Sequence, residues 1–219
     1  KTLQRHQGNF SKALDHAVFS ERIPTNTYKP FVFSEAIIDQ FRKSNPDTKR
    51  QLWGDEFQEI LETDKWNSPG TQIDDGVYWA PLIARFSGLR EEEILQLKPK
   101  DVRSDEGIPF FDIRKGTGQS VKSNNARRFV PIHSQLIELG FLELVKRQKS
   151  RGRIRIFDKV QRSKTKKKTF TATFTKKFTY YRKTRGIYEK NQDFHALRTT
   201  FNSKAVTRSI PDTARRYIM

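Results

Sequence analysis

Apolar positions recur along this chain with two different periods, and the switches between them outline a mainly helical α+β fold with a small antiparallel strand pair. From about Thr2 to Ser20, Leu3, Phe10, Leu14, Ala17 and Val18 share one stripe, while Gln4, Lys12 and Asp15 fall elsewhere, the pattern of an amphipathic helix. Arg22-Ile23-Pro24-Thr25-Asn26 ends it. The stretch to about residue 50 holds Pro30 and Pro46 among short apolar runs and reads as a linker. Phe57, Ile60 and Leu61 predict a helix over about Trp53–Glu62, followed by a Ser68-Pro69-Gly70 turn.

Residues from about Gly76 to Ser87 are apolar all round, which predicts a buried helix with Pro81 in its first turn. Gly88 breaks it, and a new helix runs from Arg90 to Leu97. Phe110–Arg114 and Arg128–Ile132 alternate as two strands around a long basic loop, Lys115 to Arg127. Helical spacing returns over Ser134–Gln148, Ala172–Arg185 and Leu197–Thr207, and a last helix starts near Asp212. The run from Arg162 to Lys168 is almost all charge and reads as a loop.

Charge changes the picture. Lys and Arg number 43 against 25 acidic residues, a formal net charge of +18, which implies a polyanionic partner through counterion release. With 34% hydrophobic residues, 17 of them Phe, the chain has a real core to bury, unlike a disordered basic tail. On charge alone, DNA and RNA both stay open. The absence of cysteine excludes disulfides and thiolate metal sites. Neither a membrane span nor a signal peptide is visible in the pattern, so no membrane partner is expected.

The candidate chemistry lies in two patches more than a hundred residues apart. Gly88-Leu89-Arg90-Glu91-Glu92-Glu93 supplies one arginine, and His195-Ala196-Leu197-Arg198 supplies a second with a histidine one helical turn earlier. Two guanidiniums suit the non-bridging oxygens of a phosphodiester, and an imidazole can move a proton beside them. Glu93, three residues after Arg90, falls on the same helical side and can hold that guanidinium in place. His133, just after Pro131, reads as structural.

Taken in order, the apolar helix, Gly-Leu-Arg-x-x-Glu, the basic strand pair ending Val-Pro-Ile-His and then His-x-Leu-Arg-Thr-Thr-Phe resemble the tyrosine recombinases, the phage-integrase family, over about Trp53–Met219. The resemblance implies an integrase-type catalytic domain over 51–219, a linker over 27–50, and in 1–26 the C-terminal helix of an otherwise absent DNA core-binding domain. It implies an enzyme that cuts and rejoins double-stranded DNA through a 3′-phosphotyrosyl intermediate, with no cofactor and no metal. Arg90 and Arg198 match the arginines that clamp the scissile phosphate, Glu93 the supporting acid, and His195 the histidine that handles the nucleophile's proton. The general acid is a hairpin lysine: Lys122 keeps the expected spacing to Pro131, with Lys115 as the alternative. Lys115, Arg127, Arg128, Lys164, Lys166, Lys167 and Lys168 are expected DNA contacts.

The departure comes at the end. The chain stops at Tyr217-Ile218-Met219, where the family continues with a Gly-His pair and then its nucleophilic tyrosine. Tyr217, 19 positions after Arg198, is read as a packing residue, and residues 1–219 as an inactive and possibly monomeric piece of an enzyme that acts as a tetramer on DNA in the cytoplasm, at the nucleoid. Three alternatives stay open: a DNA-binding module without catalysis, a type IB topoisomerase-like enzyme, and an RNA-binding structural protein. The last would need aromatic side chains exposed on a sheet, whereas the Phe residues fall in core-like patterns.

Overall fold

The computed structural model describes residues 2–29, 34–44, 51–54, 57, 76–116, 118–119, 127–164 and 168–219. The chain divides into two compact units, Lys1–Lys49 and Arg50–Met219.

The first unit contains α1 (Thr2–Phe19) and α2 (Glu35–Ser44). Along the α1 stripe Leu14, Ala17 and Val18 are half-buried, whereas Phe10 is 54% exposed. Asn26 donates its amide to the Ser11 carbonyl and to Asp15, and the Tyr28 ring meets Phe10 edge-on at 5.0 Å. The helix α2 lies inside the stretch read as a linker, where its Ile37 and polar neighbours gave too short an apolar pattern to stand out.

The second unit is mainly helical with one small antiparallel sheet. Its helices are α3 (Gly76–Ser87), α4 (Glu91–Leu95), α5 (Ser134–Glu138), α6 (Phe141–Ser150), α7 (Thr171–Thr184), α8 (Phe194–Thr207) and α9 (Asp212–Ile218). The strands β1 (Val102–Asp105), β2 (Ile108–Ile113) and β3 (Arg128–Pro131) pair in sequence order. Its core joins Trp53, Trp79, Ile83, Phe111, Phe141, Phe174 and Phe194, so α3 sits among neighbours on all sides. Pro81 lies in the body of α3, beyond the first turn that the sequence suggested, where its ring nitrogen has no hydrogen to donate.

Two further differences have local causes. The single helix expected over Ser134–Gln148 is two, because Gly140 adopts φ +87° between α5 and α6. The strand β1 was not foreseen: Val-Arg-Ser-Asp is almost wholly exposed and has no apolar alternation. It is held by pairing with β2 around Glu106 and Gly107, both at positive φ as a tight hairpin turn demands. Most of the helix expected at Trp53–Glu62 and the turn at 68–70 fall outside the described residues; Trp53 and Phe57 are described and buried.

The segment Gln51–Trp53 fixes the start of α8. The Gln51 amide donates to the Asn191 carbonyl, the Trp53 amide to the Thr200 hydroxyl and the Trp53 indole to the Asp193 carbonyl. Asp193 in turn caps α8, its carboxylate accepting from the Ala196 amide.

Candidate functional site

Arg90 stands at the junction of α3 and α4. Gly88 makes that junction possible. Its φ is +66°, and a Cβ there would come within 2.5 Å of the Phe201 ring, so both conformation and space demand glycine. Arg90 is then the N-cap of α4 in extended backbone, and its amide donates to Glu93 Oε2 at 2.9 Å. Its guanidinium donates to Glu93 Oε1, also at 2.9 Å. One carboxylate thereby satisfies a free helix amide and orients the arginine.

The three glutamates of α4 reach three different partners. Glu91 accepts from the Thr175 hydroxyl on α7 at 2.8 Å. Glu92 takes the amides of Phe170 and Thr171 at 3.1 and 2.8 Å, together with the Thr171 hydroxyl, and so closes the N-terminus of α7. Glu93, 3% exposed, also receives a fork from Arg128 of β3, with Nη1 to Oε1 at 3.2 Å and Nη2 to Oε2 at 2.8 Å.

Burial alone would push the Glu93 carboxyl up. The hydrogen bonds and charges of Arg128 and Arg90 more than offset it and hold the group below the usual carboxylate range. Glu91 has no such partner. Burial, with Glu92 and Asp193 nearby, raises it to about 8 against the pull of Thr175.

Arg198, on α8, is 7% exposed and donates to the carbonyls of Gly88 and Met219. Burial drives its guanidinium down to about 10; the positive charges of Arg90 and Arg128 add to this and Glu93 opposes it. Arg90, Glu93, Arg128 and Arg198 therefore form one cluster, with two guanidiniums bonded to the carboxylate and a third, Arg198, near enough to feel its charge. Arg90, whose side chain is 34% exposed, is its most open member. His195 lies in the first turn of α8, one turn before Arg198, and is exposed.

Arg128 departs from expectation. It was read as a DNA contact, but only 6% of it is exposed, and its guanidinium faces Glu93 and the Ile218 carbonyl (Nε to O, 2.7 Å). The signal was present in the strand period: Arg128 shares its face with the buried Val130, while Phe129 points the other way. Tyr217 also differs from its reading as a packing residue. It is 53% exposed, and its hydroxyl accepts from the Phe129 amide at 3.3 Å. His133 behaves as the structural residue it was read to be, capping α5 and stacking on Phe86 at 4.8 Å.

Lys122, Lys166 and Lys167 lie outside the described residues. Lys115, Arg127, Lys164 and Lys168 are exposed. Arg162 joins the two basic loops by donating to the Gly118 and Lys168 carbonyls.

The outer face of the sheet carries a second cluster. Asp112, fully buried, is ringed by Arg103 at 3.3 Å, Arg114 at 3.4 Å and Arg127 at 3.9 Å. Beside it Phe110 and Phe129 meet edge-on at 5.1 Å, flanked by Arg103 and Arg127. These two phenylalanines do not follow the core-like pattern expected of the rest. Among the described residues no group of acidic and histidine side chains could hold a metal, and no helix is long and apolar enough to cross a membrane.

The model of the phage integrase family matches residues 50–217. Among solved structures, the Tn1549 transposon integrase bound to circular intermediate DNA is 18% identical with a TM-score of 0.64, covering 98% of this chain and 69% of that one. A lambda integrase tetramer bound to a Holliday junction is 18% identical with a TM-score of 0.59, covering 99% and 57%. The XerH recombinase bound to difH gives 16% and 0.51, covering 89% and 52%. At these identities the likeness is one of fold. No curated protein matches the sequence significantly.

Proposed function

The chain belongs to the phage integrase family of tyrosine recombinases, and from that premise we propose that it is the phosphate-gripping part of a site-specific recombinase that cuts and rejoins duplex DNA through a 3′-phosphotyrosyl intermediate. The observation that carries this reading is the cluster of Arg90, Arg128 and Arg198 around Glu93, which leaves a net of two positive charges at the α3–α4 junction. Such preorganised donors stabilise the charge that develops on phosphoryl oxygens in a displacement.

In this scheme Arg90 and Arg198 hold the non-bridging oxygens, and Glu93 keeps Arg90 oriented. A tyrosine hydroxyl attacks phosphorus in line, forming the P–O(Tyr) bond as the bond to the 5′ oxygen breaks. His195 takes part in removing the tyrosine proton, and Lys122, with Lys115 as alternative, delivers one to the departing 5′ oxygen. Bond energy is retained in the ester, so a 5′ hydroxyl can reverse the step on another strand. The attacking tyrosine is assigned outside residues 1–219, since the Tyr217 hydroxyl is engaged by β3. Exposed Lys115, Arg127, Lys164 and Lys168 contact backbone phosphates, and the active assembly is a tetramer on DNA.

The test uses duplexes selected from a random-sequence pool for retention by residues 1–219. Affinity should fall steeply with salt, and denaturing gels should show no covalent adduct. Salt-independent binding counts against the DNA reading, and an adduct lost in Tyr217→Phe overturns the assignment of the nucleophile.

A further inference from the structure

Four donors from two arginines converge on Glu93, and one of those arginines, Arg128, has no step in the scheme above. Glu93 accepts from the Arg90 amide, the Arg90 guanidinium and two nitrogens of Arg128, which fills the acceptor sites of a carboxylate. Arg128 is the buried partner of this pair of arginines, and its third bond goes to the Ile218 carbonyl at the end of α9. Arg198 donates to the next carbonyl, Met219. Two guanidiniums thus hold successive carbonyls of this segment.

We propose that Arg128 is a positioning residue, acting on the scissile phosphate through Glu93 and Arg90 and tying β3 to α9. This deepens the recombinase reading and rests on it for the word scissile; the positioning of Arg90 stands on geometry alone. Without Arg128, Glu93 keeps a single hydrogen-bonded cation, Arg90, itself a third exposed, in a setting whose burial favours the neutral acid. A protonated Glu93 accepts less strongly, and Arg90 swings free. The planar fork is essential, because a lysine at 128 offers a point charge and cannot bridge both carboxylate oxygens while reaching Ile218.

The experiment compares the full chain with Arg128→Met and Arg128→Lys by carbon-detected NMR of the Glu93 carboxyl and of the Arg90 Nε–Hε group across pH. Wild type should titrate below the ordinary glutamate value. Arg128→Met should carry Glu93 above that value and speed Arg90 Nε–Hε exchange on the order of tenfold, as expected for loss of one charge-assisted bond. Arg128→Lys should fall between and retains a cation if the methionine variant does not fold. A Glu93 titration unchanged in the folded variants, with only a lower melting temperature, overturns the proposal and leaves Arg128 as packing. Duplex binding is measured in parallel. A shifted Glu93 with no DNA affinity in any of the three proteins keeps the positioning role and removes the recombinase reading instead.

Discussion

Among the described residues two carboxylates each sit in a cluster with three arginines, and they are not equivalent. Around Glu93 the shortest contacts are 2.8 and 2.9 Å, and two of the arginines are themselves buried. Around Asp112 the contacts run from 3.3 to 3.9 Å, and the arginine side chains are 36–62% exposed. The first cluster is set in low dielectric with fixed geometry. In the second the carboxylate is just as buried, but its cations reach solvent, where water and salt screen each of them. An arginine count does not separate them, whereas the burial of the arginines does.

Breaking the buried cluster should have the largest effect. Glu93→Ala leaves Arg128 charged and uncompensated, which should destabilise the fold by about 3–5 kcal/mol, read as the loss of denaturation midpoint in urea. Next comes Arg90→Ala. In a protein that carries the attacking tyrosine, it should slow cleavage of the selected duplex by about 10²–10³-fold, typical of a lost charge-stabilising donor. Arg103→Ala on the outer sheet should leave that rate nearly unchanged and flatten the salt dependence of binding. Asp112→Asn should cost about 1 kcal/mol, a difference that shrinks in high salt; a loss as large as that of Glu93→Ala would erase the distinction between the clusters.

Glu91 sharpens the same comparison, because it lies half-buried two residues from Glu93 without an arginine fork. With a folded pKa of about 8 against 4.5 unfolded, the folded state binds the extra proton between those values. Its contribution is therefore intact below pH 4.5 and declines as pH rises toward 8. Glu93 runs the other way: its contribution is present above the ordinary glutamate value and is lost as pH falls through its lowered one. Glu91→Gln keeps a partner for Thr175 and should melt a few degrees higher than wild type near pH 8, the gap closing toward pH 4.5. Calorimetry across pH checks this.

Much of this was legible in the sequence because it depends on backbone conformation and local period. Gly88 announced a break, and the structure gives it both positive φ and a crowded neighbour. All-round apolarity placed α3 in the core, and alternation found β2 and β3. What was missed depends on pairing, backbone torsion and burial that no hydrophobic period announces. The strand β1 exists through pairing with β2 and carries no pattern of its own. Gly140 looked compatible with a continuous helix until its φ was known. Arg128 was assigned by residue type to the surface, although its parity with Val130 placed it inside.

The run Glu91-Glu92-Glu93 sends neighbouring side chains to α7, to the amides that open α7, and to Arg90 with β3. Successive residues of a helix point about 100° apart. Inserting or deleting one codon in this triplet would turn every carboxylate toward its neighbour's partner, leaving Arg128 against a threonine's usual acid and the α7 amides bare. Homologous chains should vary the length of their loops freely, yet keep this interval of three fixed.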